Sequence, residues 1–279
     1  MIRILVDSTA DFTLEELSKY NLEMIALKTR IQGKEYLDRI ELSPTEFYDK
    51  LAQCDEFPKT SQPSPAEFAQ SYEAGIQAND ELIVFSVSSA LSGTYQSANI
   101  AKMTSEYENI HIVDTQSGTV GSKLLVLKAI QLREQGMSFP ELIEAIEAYK
   151  SRICLYAIVD TLEYFVMGGR LSKASGMIGT MMKLKPVLTV IDGKLEAIDK
   201  KRGTAKALAR IVELMDEQGG IDLNEPVLFG YTGNDTKMDK FQNTLCEHFQ
   251  IQSFETTMVG PVVGSHAGPG ARVIAYVKP

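Results

Sequence analysis

The sequence predicts an α/β protein of two domains, and three observations carry that prediction. Near-continuous apolar runs at 2–6, 82–87 and 110–113 have the composition of parallel strands buried on both faces. Each is followed by a polar loop and then a helical pattern, the alternation that builds a mainly parallel sheet flanked by helices. In the second half, scattered runs at 153–159, 186–191, 194–198, 226–231 and 271–277 predict a mixed, partly antiparallel sheet with helices. Asp192-Gly193 between two of those runs is a hairpin signal. The boundary is placed at 151, giving domains 1–151 and 152–279 with a cleft where ligands preferentially bind.

The helices announce their own starts. Ser or Thr followed three residues later by Glu occurs at Thr13/Glu16, Ser43/Glu46, Ser64/Glu67 and Ser138/Glu141, the capping-box spacing. Pro44 and Pro65 stand at the first helical position, where a missing N–H costs nothing. Leu208, Ile211, Val212 and Met215 make one apolar face behind a Thr204 cap, and Gly219-Gly220 stops that helix.

Bulk properties exclude several function classes. The 279 residues hold 44% apolar and 23% charged residues, as globular chains do. A net charge of −9 argues against a broad surface for nucleic acid or anionic membrane. The apolar start is too short for a signal peptide and no run suits a spanning helix, so a cytoplasmic protein with at most transient membrane contact is expected. Cys54, Cys154 and Cys246 are scattered, and His111, His248 and His266 form no His-x-x-x-His pair, so neither a metal nor a cofactor is expected.

Parallel sheets bind ligands at their strands' C-terminal ends, which directs attention to hydroxyl-rich loops: Asp7-Ser8-Thr9, Ser88 to Thr94, and Asp114 to Gly118. Four hydroxyls around Gly93 exceed what a helix cap requires, and without a Walker or dinucleotide pattern they suit a carboxylate. Thr60 and Ser61 sit on a stretch stiffened by Pro63 and Pro65 and form a candidate second side of that site. His266 lies in Gly264-Ser-His-Ala-Gly-Pro-Gly270, read as a turn that aims the imidazole. His111 and His248 read as ordinary strand and helix residues. Arg170 and Arg202, each beside glycine, join Lys173, Lys183, Lys185, Lys200 and Lys201 in a basic cluster.

Five motifs in order, Asp7-Ser-Thr-Ala-Asp11, Thr60-Ser-Gln-Pro-Ser-Pro65, Ser88-Ser-Ala-Leu-Ser-Gly-Thr-Tyr95, Gly168-Gly-Arg-Leu-Ser172 and His266-Ala-Gly-Pro-Gly270, closely resemble the DegV family. Only the residues Ala271-Arg272-Val273 after the last motif depart from that pattern. Members of that family are fatty-acid-binding subunits of a two-part bacterial fatty acid kinase. The resemblance implies two α/β domains with a ligand tunnel between or adjoining them, a long-chain fatty acid as the bound ligand, and no catalytic residue. By motif it makes Thr60, Ser92 and His266 the carboxylate contacts, with Ser61, Gly93 and Thr94 in the same site. Arg170 and Arg202 would face a separate kinase subunit, related to dihydroxyacetone kinases, that makes acyl phosphate for phospholipid synthesis.

Ile178, Met181, Met182 and Leu184 form an adaptable apolar run that could line such a tunnel or pack an ordinary core. The rival readings are a serine hydrolase using Ser92, His266 and Asp7 or Asp114, opposed by the lack of a Gly-x-Ser-x-Gly elbow, and a nucleotide or phosphosugar binder using the Ser88–Thr94 loop with Arg170, opposed by the lack of a recognisable phosphate loop.

Overall fold

A computed structural model describes residues 1–171, 184–234 and 238–279. The N-terminal half runs β1 (Ile2–Asp7), a 3-10 turn at Ser8–Ala10, α1 (Leu14–Lys19), β2 (Leu22–Ile25), β3 (Lys28–Ile31), β4 (Lys34–Leu37), α2 (Pro44–Leu51), β5 (Lys59–Ser61), α3 (Pro65–Gln77), β6 (Glu81–Ser86), α4 (Thr94–Ser105), β7 (Ile110–Asp114), α5 (Thr119–Glu134) and α6 (Phe139–Lys150). The rest runs β8 (Ile153–Ile158), α7 (Glu163–Met167), β9 (Leu184–Ile191), β10 (Lys194–Arg202), α8 (Thr204–Glu217), β11 (Leu228–Tyr231), α9 (Met238–Phe249), β12 (Glu255–Met258), α10 (Pro261–Ala267) and β13 (Arg272–Val277). Among the described residues no helix is long and apolar enough to cross a membrane.

The apolar runs of the first half form a parallel sheet in the order β2-β1-β6-β7. Ile4, Ile83, Val84 and Val113 are buried, because helices cover both faces. The second half forms a six-stranded mixed sheet, β10-β9-β8-β13-β11-β12, in which only β11 and β12 pair in parallel. Asp192 (φ 49) and Gly193 (φ 75) both adopt the left-handed region, as a tight β9–β10 hairpin turn demands.

All four capping-box helices form. Thr13, Ser43 and Ser64 each exchange hydrogen bonds with the Glu three residues on, and Glu141 accepts from the Ser138 backbone N–H. The Thr204 cap is corrected: the chain turns from β10 into α8 at Gly203, whose φ of 82 only glycine adopts readily, and Thr204 is already helical. A third sheet, β4-β3-β5, escapes sequence reading because its strands are three or four residues of mostly polar character.

Helix α5 joins the halves. Residues 119–126 of it are buried on every side, with Val120, Leu124, Leu125 and, further on, Ala129 at 1% exposure or less, while Gln131 and Glu134 in its last turn reach solvent. It packs on β1 and β6 on one side and on β8, β11 and β13 on the other, so one core runs through both sheets. The outer face of the six-stranded sheet buries Tyr156, Ile158, Ile274 and Tyr276 against Ile211 and Met215 of α8 and Phe241 and Leu245 of α9.

Candidate functional site

Strand alternation makes the inner face of the second sheet an apolar wall. Tyr156 and Ile158 of β8 point to the outer core, so Leu155, Ala157 and Val159 point inward, and Leu188 and Val190 of β9 join them. With Leu195 of β10, Val273 of β13 and Val262 and Val263 of α10, these residues line a cavity of about 340 Å³. That volume falls in the roughly 300–1,000 Å³ range of small-molecule sites.

The cavity lining also contains a polar set: Thr60, Ser61, Gln62, Ser92, Arg170 and His266. Thr60 is delivered by β5, where it lies in register with Thr29 of β3. His266 is delivered by the last turn of α10, which corrects the reading of its surroundings as a turn. Pro261 starts that helix, and Gly264 sits within it because the Tyr48 hydroxyl and the Phe47 ring occupy the space a Cβ would need.

The Thr60 hydroxyl and His266 Nε2 are 2.9 Å apart. His266 Nδ1 is buried with no hydrogen-bond partner among the described residues and lies against Gly168, where any Cβ would collide with it. Burial, helped by the charge of Arg170, pushes the imidazole down to about 4, so His266 is neutral near pH 7. The Arg170 guanidinium is strapped in place by donating from Nε to the Leu91 carbonyl at 3.0 Å and from Nη1 to the Gly168 carbonyl at 2.6 Å. A neutral imidazole, hydroxyls and one fixed cation can receive an anion without any group having to change protonation.

The hydroxyl loop from Ser88 to Thr94 divides its labour. Ser92 lines the cavity and its Oγ is 2.8 Å from Thr94 Oγ1. Thr94 is fully buried and, like Gly93, stands behind Ser92 instead of lining the wall. Ser88 donates to the Gly193 carbonyl at 2.7 Å, tying the hairpin tip to the N-terminal half, and Ser89 is bound to Asp114. Four hydroxyls therefore do not converge on one anion.

Gln62 is a residue that sequence reasoning missed. Its amide donates to the Gly93 carbonyl at 3.1 Å and to Ser97 Oγ at 2.9 Å, tying the Thr60 strand to the Ser92 loop. The signal was its place before Pro63, which holds it extended. Ser61 is exposed at the rim of the cavity.

Arg170 and Arg202 do not form one basic spot. Leu171 bridges Leu195 near the start of β10, whereas Arg202 is its last residue, exposed and outside the cavity lining. Seven residues of extended chain put roughly 23 Å between those two strand positions. Ser172, Lys173, Ile178, Met181, Met182 and Lys183 lie outside the described residues; Leu184 opens β9 and is not part of the lining.

A hydrolytic triad is not assembled. His266 meets Thr60, not Ser92. Asp7 accepts from Thr9 and from the Val87 N–H, and Asp114 accepts from Ser89 and Gln116. Among the described residues no carboxylate orients His266.

The whole chain, residues 1–279, matches the family model described as "Uncharacterised protein, DegV family". A DegV domain-containing protein of Caldanaerobacter subterraneus is 34% identical over 276 residues, covering 99% of this chain and 98% of the relative. Among solved structures, one described as fatty acid binding of a DegV family protein from Thermus thermophilus superposes with a TM-score of 0.90 at 31% identity, covering 99% of each chain. DegV of Bacillus subtilis, described as a fatty acid binding protein, gives 0.86 at 30% identity over 100% of this chain and 99% of its own. With its five motifs in order, its fold shared and its full length matched, this chain belongs to the DegV family.

Proposed function

We propose that this protein is a non-catalytic fatty acid carrier whose cavity buries the acyl tail and whose polar set holds the carboxylate. The observation that carries the reading is an apolar cavity of about 340 Å³ whose lining includes the bonded Thr60–His266 pair and Ser92. The fatty acid binding described for the Thermus thermophilus and Bacillus subtilis relatives supports it. Burying a tail of about 14 methylenes at roughly 0.8 kcal/mol each contributes about 11 kcal/mol before ordering costs, so the tail supplies most of the affinity. Hydrogen bonds from Thr60, Ser92 and His266 to a charged head contribute roughly 1.5–3 kcal/mol each and fix its orientation. Ser61 acts at the rim, and Gly93 and Thr94 act by shaping the Ser92 loop.

The finer reading is presentation to an enzyme. The two halves, divided at 151/152, enclose the tail and expose the head to a cytoplasmic kinase subunit of the dihydroxyacetone kinase type. That partner would move the γ-phosphoryl group of ATP onto a carboxylate oxygen, leaving ADP and an acyl phosphate for phospholipid synthesis. Arg170 and Arg202 are the arginines assigned to that partner, as two separate contacts.

Native mass spectrometry of the purified protein tests the carrier reading. A co-purified mass equal to a fatty acid, reduced in His266→Ala, is the expected result; a bound nucleotide, or a delipidated protein that takes up no fatty acid, overturns it. Acyl phosphate formed only when carrier, kinase and ATP are combined is the expected result for presentation.

A further inference from the structure

The Asp7–Asp11 motif contributes a residue that the carrier reading leaves without a role. Asp11 is completely buried and holds a left-handed conformation at φ 60. Its Oδ1 accepts from Gly260 N at 2.9 Å and from Arg39 Nη2 at 2.7 Å, and its Oδ2 accepts from Thr119 Oγ1 at 2.5 Å. Arg39 Nη2 also donates to the Met258 carbonyl at 2.7 Å.

Gly260 is the N-cap of α10, and no side chain of its own caps that helix. Asp11, 249 residues away, accepts from the Gly260 N–H instead and so ties the start of the helix to the N-terminal half. Helix α10 is seven residues long and carries Val262, Val263, His266 and Ala267 of the cavity lining. Six residues at about 1.5 Å of rise separate Gly260 from His266, so a shift of the helix start is transmitted to the imidazole through one rigid element. Thr119, the other partner, opens α5 and also lines the cavity. The space around Gly260 is full: a Cβ there would lie 2.9 Å from Asp11 Oδ1, 3.0 Å from Arg39 Nε and 3.2 Å from Asp38 Oδ1.

We propose that Asp11 is a positioning residue for the carboxylate end of the cavity, setting the Thr60–His266 alignment by clamping the start of α10 to the N-terminal half. The proposal rests on the carrier reading above. Asp11 is not part of the cavity lining, so it acts through α10 and α5.

The test compares delipidated wild type with Asp11→Asn for binding of palmitate and of its methyl ester, which keeps the tail and removes the charged head. The expected result is roughly tenfold weaker palmitate binding, the scale of one charge-assisted hydrogen bond, with ester binding changed less than twofold and the His266 ring resonances shifted. Equal losses for acid and ester, or no loss for either, overturn the proposal. Gly260→Ala, which crowds the same carboxylate from the other side, must reproduce the pattern and decides the matter where Asp11→Asn does not fold. Wild type that binds neither compound sinks the carrier reading and this role together. Normal wild-type binding with an unaffected variant sinks only the role of Asp11.

Discussion

Thr60 and His266 are 206 positions apart in the chain, yet Thr60 Oγ1 and His266 Nε2 lie 2.9 Å apart, joining β5 of the small sheet to α10 of the C-terminal half. A hydroxyl and a neutral imidazole protonated on Nε2 each carry one donor proton, so both can serve one carboxylate, or the imidazole can support the hydroxyl that does. They should therefore behave as a unit. Thr60→Val and His266→Gln are each expected to weaken palmitate binding about tenfold, and the double variant little more than either alone, a coupling of about 1–2 kcal/mol. Isothermal titration of the four proteins measures it; additive losses would show two independent contacts.

Gly168 and Gly93 separate a rigid obstacle from a yielding one. A methyl group at Gly168 collides with His266 Nδ1 and sits 3.1 Å from the Tyr164 carbonyl, neither of which can swing away. At Gly93 it meets the Gln62 amide, the far end of a flexible side chain. Both glycines have φ of −74°, so alanine adds no backbone strain. Gly168→Ala should lower stability by about 1–3 kcal/mol and abolish most fatty acid retention, while Gly93→Ala should be the milder change in both. Urea melts and retained lipid rank the two, and a reversed order would contradict the assigned packing.

These contrasts mark how far the sequence could be read. Helix starts were legible because each capping box is written in four consecutive residues, and the buried parallel strands because their apolar runs are unbroken. Thr60, Ser92, Arg170 and His266 were named from motifs, and the structure brings all four to one cavity. What could not be read depends on distant partners. Helix α10 reads as a turn because its start is tied down by Asp11 from the other end of the chain and its Gly264 is imposed by Tyr48. The Ser88 and Ser89 hydroxyls resembled ligand contacts until their partners Gly193 and Asp114 were placed. Strands β3 to β5 are too short and polar to give a period, and β2 is only four residues long.

A buried charge cluster should govern the pH dependence of folding. Burial pushes the Asp38 carboxyl up from 3.8 to about 7, Arg39 pulling it down and Asp11 and Asp7 adding to the rise. The native protein thus keeps a proton that the unfolded chain releases near 3.8, and stability falls as pH rises from about 4 through 7. His266 acts with the opposite sign: its native value of about 4 lies below the ordinary 6.5, so its share of stability is lost as pH falls from 6.5 towards 4. The two slopes offset each other below pH 6.5. Asp38→Asn, a neutral isostere, should be more stable than wild type by about 2–4 kcal/mol at pH 8, with a much smaller difference at pH 4. Denaturation at pH 4 to 8 gives both curves, and parallel ones would show that Asp38 is ionised throughout.

Ala157 offers control over ligand length. It faces the cavity from near the C-terminal end of β8, between Leu155 and Val159, and its small side chain leaves part of the volume open. Leucine there adds three carbons to the wall without touching Thr60, Ser92 or His266. A tail long enough to need that space would be displaced by two or three methylenes, a loss of about 2 kcal/mol or roughly 30-fold in affinity. A tail too short to reach it would bind as before. The ligand-free protein should meanwhile gain up to about 1 kcal/mol, because filling an apolar void reverses the cavity penalty of a large-to-small substitution. Binding of a saturated series from C10 to C18 to delipidated Ala157→Leu, with thermal unfolding of the same samples, tests both halves of the argument. An equal loss at every chain length would mean that the substitution disturbs the carboxylate end, and Ala157 would then not mark the path of the tail.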